Sequence, residues 1–219
     1  MRNMYNDILS KLSDSTAPLQ DVLLKLKILA CRLNNQNLIN FVNSELNGYQ
    51  NVKVPQYRCI SGVLIGTVSN GYHVHRDTRL PTFHLKKHRL EDIELCEMSD
   101  SVGTLISYAD AEEDNLNKII PPELYGMLSE TYDNGYVVQR AYVPISKAQI
   151  KGILTSIRST ILDLIFAIEQ EINVSEMENL FDNPTKDQID RVNPVVNQFF
   201  ITSFGDSTQN TKIELGSDK

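Results

Sequence analysis

One long apolar stretch, residues 146–172, constrains the fold of this chain more than any other feature. Its apolar residues recur every three or four positions, which is the repeat of one helical face. They are Ile150, Ile153, Ile157, Ile161, Leu164, Ile168 and Ile172. Ser146 and Gln149 have the spacing of a capping box, and a helix of this length is roughly 40 Å long. Because Arg158 and Glu169 interrupt the apolar residues, the sequence predicts a buried core helix rather than a membrane span.

Composition places the chain among soluble globular proteins. With 219 residues and a formal net charge of −7, it fits one large domain and does not favour nonspecific binding of DNA over its whole surface. Its three cysteines, Cys31, Cys59 and Cys96, are odd in number and scattered, which is not typical of a disulfide framework. The first residues contain no apolar export region. We therefore predict a cytoplasmic protein.

The pattern before the core helix predicts helices first and strands second. A short helix is expected near the N-terminus, followed by two helices joined at Asn34-Asn35 and ending at Gly48 as a left-handed cap. Residues 57–68 are rich in β-branched side chains, and Asn70-Gly71 is a strong hairpin signal. Further strands are expected at 72–75, 83–85 and 136–143. The predicted class is α+β, with an N-terminal helical hairpin, a small central antiparallel sheet and a long C-terminal core helix.

The C-terminal region changes character again. We predict an α+β domain over residues 1–175, a linker over 176–197 and a short β appendage over 198–219. Residues 198–204 are expected to form a strand, and 211–215 to return as a second one. The apolar residues of the first strand are Phe199, Phe200, Ile201 and Phe204. They either dock on their own domain or add as a strand to another subunit, which makes a homo-oligomer an expected assembly.

Five cations form what we call the basic strip, between positions 73 and 89. They are Arg76, Arg79, Lys86, Lys87 and Arg89. Residues 90–114, which follow directly, carry nine acidic side chains and no Lys or Arg. A basic patch in an acidic chain is typical of a phosphate or nucleic-acid site. The interpretation that we favour is mutual neutralisation of the two segments, within the fold or across a subunit interface.

Motifs for catalysis and metal binding are weak. The pairs His73/His75 and His84/His88 have metal-ligand spacing on a strand and on a helix, respectively. Pro81 separates the pairs and no HExxH motif accompanies them, so we interpret them as surface histidines and predict no metal site. The sequence contains no nucleophile elbow, P-loop or dinucleotide fingerprint. No catalytic residue and no cofactor is predicted.

Two segments resemble the AbiTii domain of bacterial abortive-infection proteins. They are residues 24–58 and 145–172, and the likeness extends over roughly residues 5–172. The matching motif residues are Glu45, Gly48, Tyr49, Tyr57, Arg58 and Arg158. The resemblance implies a role in defence against phage, by stopping growth or killing the infected cell, and it brings no agreed catalytic residues. Residues 204–217 also resemble a short Gly-Asp/Asn β motif that ends many bacterial defence proteins.

Two functions from different classes follow. The first is a non-enzymatic assembly, sensing or partner-binding module, whose partner is a second copy, a partner defence protein or a phage component. The alternative is a metal-dependent nuclease-type toxic effector that acts on nucleic acid through the basic strip and buried carboxylates. Glu45, Asp163 and Glu169 lie on apolar helices, where such groups are usually rim or capping residues and only in a minority of cases buried acids. Binding of nucleic acid is considered but not favoured.

Overall fold

The structure is a computed structural model that describes residues 4–50, 52–112 and 115–205. Its helices are α1 (Met4–Ser13), α2 (Leu19–Leu33), α3 (Gln36–Asn47), α4 (Val102–Asp110), α5 (Tyr125–Ser129), α6 (Lys147–Glu171), α7 (Val174–Asp182) and α8 (Lys186–Phe204). Its strands are β1 (Cys59–Ser61), β2 (Ile65–Ser69), β3 (Val74–Arg79), β4 (Leu95–Glu97), β5 (Asn115–Ile119) and β6 (Val137–Ser146). The predicted α+β class is confirmed.

The chain divides into two compact units. The first comprises the chain up to Pro55, Asp100–Gly103 and the chain from Thr155 onward, and the second comprises Gln56–Ser99 and Thr104–Leu154. The first unit is helical, and the second contains all the strands of the described residues.

In the first unit, the predicted helical hairpin is confirmed. Helix α2 ends at Asn34, whose φ of 50° lies in the left-handed region. Asn35 then caps α3, because its side-chain oxygen accepts a hydrogen bond from the amide of Leu38 at 3.1 Å. After α3 the backbone turns at Gly48, where φ is 94°. A positive φ favours glycine, so the residue type expected at this position is explained by its geometry.

The stripe predicted for the core helix is also confirmed. All seven apolar residues of the stripe are buried, with exposed fractions of 3% or less. The capping box forms as well: the amide of Gln149 donates to Ser146 Oγ at 3.3 Å, and the amide of Ser146 donates to Gln149 Oε1 at 2.9 Å. Burial of each such side chain contributes about 1.5–3 kcal/mol, so α6 is central to stability.

Arg158 of α6 forms hydrogen bonds with the connection between α1 and α2. Its guanidinium donates to the carbonyl oxygen of Lys11 at 2.9 Å and also to that of Ala17, which together bracket the turn. Burial lowers the pKa of Arg158, while the nearby Asp14 carboxylate opposes that shift. This residue of the resemblance therefore binds backbone carbonyl groups at the end of α1 and before α2.

The strand predicted for Gln198–Phe204 is wrong, because these residues form the last two turns of α8. Thr185 and Gln188 form a capping box that starts this helix. Phe200 and Phe204, four residues apart, both contact Phe41 of α3, with ring centroids 5.4 and 5.9 Å away. Residues i and i+4 lie one above the other on a helix face, so both rings reach the same side chain of α3.

Most of the segment predicted to be a linker is likewise helical, in α7 and α8. Amide side chains hold α8 to the start of α3. Asn35 Nδ2 donates to Asn193 Oδ1 at 2.9 Å and to Asn197 Oδ1 at 3.1 Å. The second strand predicted at 211–215 lies outside the described residues, and the domain boundaries proposed from sequence stay predictions.

The second unit is built on a four-stranded antiparallel sheet with the order β3-β2-β6-β5, beside a two-stranded sheet of β1 and β4. The Asn70-Gly71 hairpin is confirmed, with Gly71 at φ 86° and Asn70 Oδ1 accepting from the amide of His73 at 2.8 Å. The strand predicted at 83–85 is wrong, since Phe83–His88 forms a 3-10 helix. Leu85 is fully buried there, and neighbouring His84 contacts the carbonyl oxygen of Met127 at 2.8 Å.

Candidate functional site

The basic strip lies on two consecutive elements of the second unit. Strand β3, at the edge of the sheet, carries Arg76 and Arg79, and the 3-10 helix Phe83–His88 carries Lys86 and Lys87. Arg89 follows as the left-handed residue that ends this helix, with φ 58°. All five cationic side chains are exposed. The strip is therefore accessible along its whole length.

One carboxylate neutralises part of the strip. Glu130 lies 2.5 Å from Lys87 Nζ and 3.1 Å from His88 Nε2. Hydrogen bonds from Lys87 and His88 lower the pKa of Glu130 to about 2. This partner comes from the end of α5 and was not anticipated from the sequence.

The remaining cations keep their charge uncompensated. Within residues 4–50, 52–112 and 115–205, Arg76, Arg79, Lys86 and Arg89 form no ion pair, and none joins the basic strip to the acidic segment that follows it. Acidic residues of that segment have other contacts; Glu94 Oε1, for example, accepts from the amide of Leu64 at 3.0 Å. The mutual neutralisation that we favoured from the sequence is therefore not supported by any ion pair between the two segments in the described residues.

Next to the strip, one face of the four-stranded sheet is open. A row of directly opposed residues crosses all four strands: Ile119, Tyr142, Ile65 and Arg79. Residues directly opposite each other on neighbouring strands share a face. Ile119 is 58% exposed, Arg79 is exposed, and Ile65 and Tyr142 are half-buried. We call this surface, together with Thr67 and Arg140 of the next row, the open face.

The opposite side of the same strands is packed. Val68, Val138, Ala141, Val143 and Ile145 have exposed fractions of 5% or less. Strand β6 therefore alternates between a buried apolar side and an open side that carries Arg140 and Tyr142. The contrast shows that the open face is one side of a folded sheet rather than a loosely packed region.

Three side chains on the open face are linked. The Tyr142 hydroxyl donates to Asp77 Oδ1 at 2.8 Å, and the Arg140 guanidinium lies over the Tyr142 ring, 5.1 Å from its centroid. The hydrogen bond to Asp77 is the largest of the effects that raise the pKa of Tyr142. Arg140 forms no ion pair in the described residues and is exposed. The face consequently offers an aromatic ring, a guanidinium stacked on it, and the arginines of β3.

Sequence reasoning missed Arg140 and Tyr142. The signal was present, because residues 136–143 were predicted as a strand and these two positions alternate with the apolar Ala141 and Val143. The sequence does not give the strand register that places Arg140 and Tyr142 opposite β2 and near the basic strip.

The four histidines do not come together as ligands. His75 Nε2 lies 3.4 Å from the Tyr136 hydroxyl, whereas His84 and His88 contact Met127 and Glu130 respectively. Among the described residues, no three His, Cys, Asp or Glu side chains are grouped so that they could hold a metal ion.

A cavity of about 450 Å³ lies elsewhere in the second unit, between β4, β5 and the end of β6. Lys118 and Cys96 contribute to its lining. Lys118 Nζ donates to the carbonyl oxygens of Ile93 at 3.1 Å and of Leu95 at 2.6 Å, and burial raises the pKa of the Cys96 thiol. Because backbone carbonyl groups already accept hydrogen bonds from the Lys118 ammonium group, the cavity is a weaker candidate for a binding site than the open face.

The residues of the family resemblance occupy structural positions. Glu45 and Tyr49 are buried, and the Tyr49 hydroxyl donates to Glu45 Oε1 at 2.6 Å. In the second unit, Arg58 is fully buried and donates to the carbonyl oxygen of Met98 at 2.8 Å, beside the half-buried Tyr57. The assignment of these residues, together with Gly48 and Arg158, as the structural motif of the family stays a prediction.

The fold and the open face define an α+β protein that has a helical unit and a sheet unit with an exposed basic strip. The model of the AbiTii family matches residues 3–193, and the chain belongs to this family. The family name implies an abortive-infection role, that is, defence of bacteria against phage. No curated protein and no solved structure matches the chain. Among the described residues, no helix has the length and apolar character needed to cross a membrane.

Proposed function

We propose that this AbiTii-family chain serves anti-phage defence as a non-enzymatic, partner-binding or sensing module of the cytoplasm. Its binding surface is the basic strip with the adjoining open face. The partner is anionic at the point of contact, and a partner defence protein, a phage component or a nucleic acid meets that requirement.

This proposal rests on positive charge in the basic strip that no ion pair compensates. Arg76, Arg79, Lys86 and Arg89 are exposed and unpaired in the described part of a chain whose formal net charge is −7. Clustered cations on an otherwise acidic protein create a local positive potential, which raises the rate of encounter with anionic partners and favours their binding.

Self-association is a second element of the proposal. Of the four residues first considered for it, Phe200 is buried against Phe41, whereas Ile201 is 49% exposed on the last turns of α8. A contact between copies would therefore use the outer side of this helix instead of an added strand.

The experiment is a plaque assay in cells that carry the defence locus. The triple variant Arg76→Glu, Lys86→Glu and Arg89→Glu should lose most of the protection, because it reverses three exposed charges. The matched control is Arg32→Glu, Lys53→Glu and Lys186→Glu, which makes the same charge change at exposed positions of the first unit. Equal protection by both triple variants would contradict the proposal.

Catalysis is tested separately on the purified chain. RNA and DNA are incubated with it, with and without Mg²⁺ or Mn²⁺, and the substrates should remain intact. Cleavage that depends on the divalent ion would favour the alternative of a nuclease-type effector.

A further inference from the structure

We propose that the open face binds single-stranded nucleic acid, with bases stacked at Tyr142 and Arg140 and phosphates held by Arg79 and Arg76. This inference rests on the proposed function and names the partner class of the same site.

The form of the open face fits a single strand. A row of residues crosses all four strands of the sheet, and neighbouring strands are about 4.7–4.9 Å apart. Four-stranded sheets that bind RNA through aromatic residues on one face accommodate two or three stacked bases. The open face has this breadth, and its back is fixed by a packed apolar layer.

The side chains at the centre of the open face fit stacked bases. The ring of Tyr142 is held in place by the hydrogen bond of its hydroxyl to Asp77, which crosses β2. The Arg140 guanidinium lies over that ring and Arg140 is exposed, so a base can stack on the outer side of the guanidinium with the ring beneath it. Aromatic rings and guanidinium planes are the groups on which proteins stack unpaired bases. A ring held in one orientation loses little freedom when a base stacks on it.

The charge of the open face fits a phosphate backbone. Arg79 ends the row at the outer strand, and Arg76 lies three residues before it on the same strand. Arg140, Arg79 and Arg76 are exposed and form no ion pair in the described residues, whereas the carboxylate of Asp77 on β3 accepts the hydrogen bond from Tyr142. Charges of this kind attract a phosphate backbone but carry little sequence preference.

These features favour a single strand over a duplex or an acidic protein. In a duplex the bases are paired and stacked on one another, so Tyr142 would have no base to contact and the arginines alone would bind phosphates. An acidic peptide would use the arginines without needing a planar stacking surface. Only an unpaired strand uses the ring, the guanidinium plane and the charges together.

The test is fluorescence anisotropy of the full chain with labelled 20-nucleotide RNA and DNA, single-stranded and as duplexes of the same sequence, over a salt series. We expect single strands to bind at least tenfold more tightly than duplexes. Arg79→Gln should reduce the salt slope by about one. Tyr142→Leu should weaken binding by about tenfold, whereas Tyr142→Phe, which keeps the ring and loses only the hydrogen bond to Asp77, should weaken it less.

Arg32→Gln, an exposed arginine of the first unit, is the matched control and should bind like the wild type. Circular dichroism of each variant separates lost binding from lost folding. Arg79→Gln changes an exposed side chain on the edge strand and should leave the fold intact. Absence of binding at low salt would overturn the inference. Equal binding of duplex and single strand, with Tyr142→Leu unaffected, would overturn it as well.

Failure of this inference and failure of the proposed function give different results. If oligonucleotides do not bind but charge reversal of the strip still abolishes protection against phage, the partner is another acidic molecule and the proposed function stands. If oligonucleotides bind as expected but the face variants protect cells fully, the inference holds and the proposed function fails.

Discussion

The Tyr142 hydroxyl donates to Asp77 Oδ1 at 2.8 Å across an intervening strand, because β2 separates β6 from β3. Asp77 can accept this bond because it sits at an irregularity of β3, where its φ is 49° and the pairing with β2 shifts register. The bond ties the edge strand, which carries two arginines of the basic strip, to a central strand of the sheet. The hydrogen bond therefore couples the position of the two arginines on β3 to the position of the Tyr142 ring.

Replacement of Asp77 should therefore change the titration of Tyr142. In Asp77→Asn the acceptor charge is lost, so the pKa of Tyr142 should fall toward the ordinary value for tyrosine. NMR of tyrosine labelled at Cζ would follow each of the chain's nine tyrosines through a pH titration. Asp133→Asn, an exposed change in the same unit, should leave the Tyr142 titration unaltered. An unchanged pKa in Asp77→Asn would show that the bond does not form in solution.

A second prediction concerns the carboxylate that neutralises part of the basic strip. Glu130→Gln removes the partner of Lys87 and His88, so the strip gains positive charge and single-stranded oligonucleotides should bind more tightly. The slope of log affinity against log salt should become steeper by about one. Glu123→Gln removes the same charge at an exposed position and should have a smaller effect. Identical gains in both variants would mean that only net charge matters.

Stability at high pH should depend on Tyr5. Burial and the hydrogen bond to Glu169 raise the pKa of Tyr5 to about 12, above the ordinary value of 10. A raised folded-state pKa means that this contribution is complete below pH 10 and is lost as the pH rises toward 12. Two pKa units correspond to about 2–3 kcal/mol.

Denaturant unfolding of wild type and Tyr5→Phe between pH 8 and 12 measures this. The phenylalanine variant has no proton to lose at this position, so its stability should fall less steeply over the interval. Parallel curves for the two proteins would contradict the assignment.

Neighbouring residues of α8 should separate stability from assembly. Phe200→Ala removes a ring that is 97% buried and contacts Phe41, so it should cost about 3–5 kcal/mol of unfolding free energy. Ile201→Ser changes an exposed residue and should alter stability by less than about 0.5 kcal/mol. If copies associate through the outer side of α8, light scattering should show a lower mass for Ile201→Ser. An unchanged mass would remove this helix from consideration as the interface.

The sequence was sufficient where a local signal and the final packing agree. The stripe of α6, the Asn34-Asn35 connection and the Asn70-Gly71 hairpin are all confirmed, because each depends on residues that are close in the chain. Residues 198–204 were misread because Phe, Ile and Thr favour strands when taken alone. The capping box at Thr185 and Gln188 was legible in the sequence and would have predicted the helix.

Only part of the candidate site could be predicted from the sequence, because only that part depends on residues that are close in the chain. The basic strip is a continuous run in the sequence, and its exposure in the structure agrees with that pattern. Arg140 and Tyr142 lie more than fifty residues beyond it, and only strand register brings Tyr142 within hydrogen-bonding distance of Asp77. Glu130 was missed similarly, since ion pairing between distant residues leaves no local pattern.

The hydrogen bonds from Arg158 to the connection between α1 and α2 have a consequence for proteolysis. A protease must draw its substrate into an extended conformation, with free carbonyl groups, before it can cleave. Here the carbonyl groups of Lys11 and Ala17 are held by a guanidinium that projects from the core helix. Although residues 14–16 lie on the surface, cleavage there first requires release of this side chain, so the exposed turn is protected from within the helical unit.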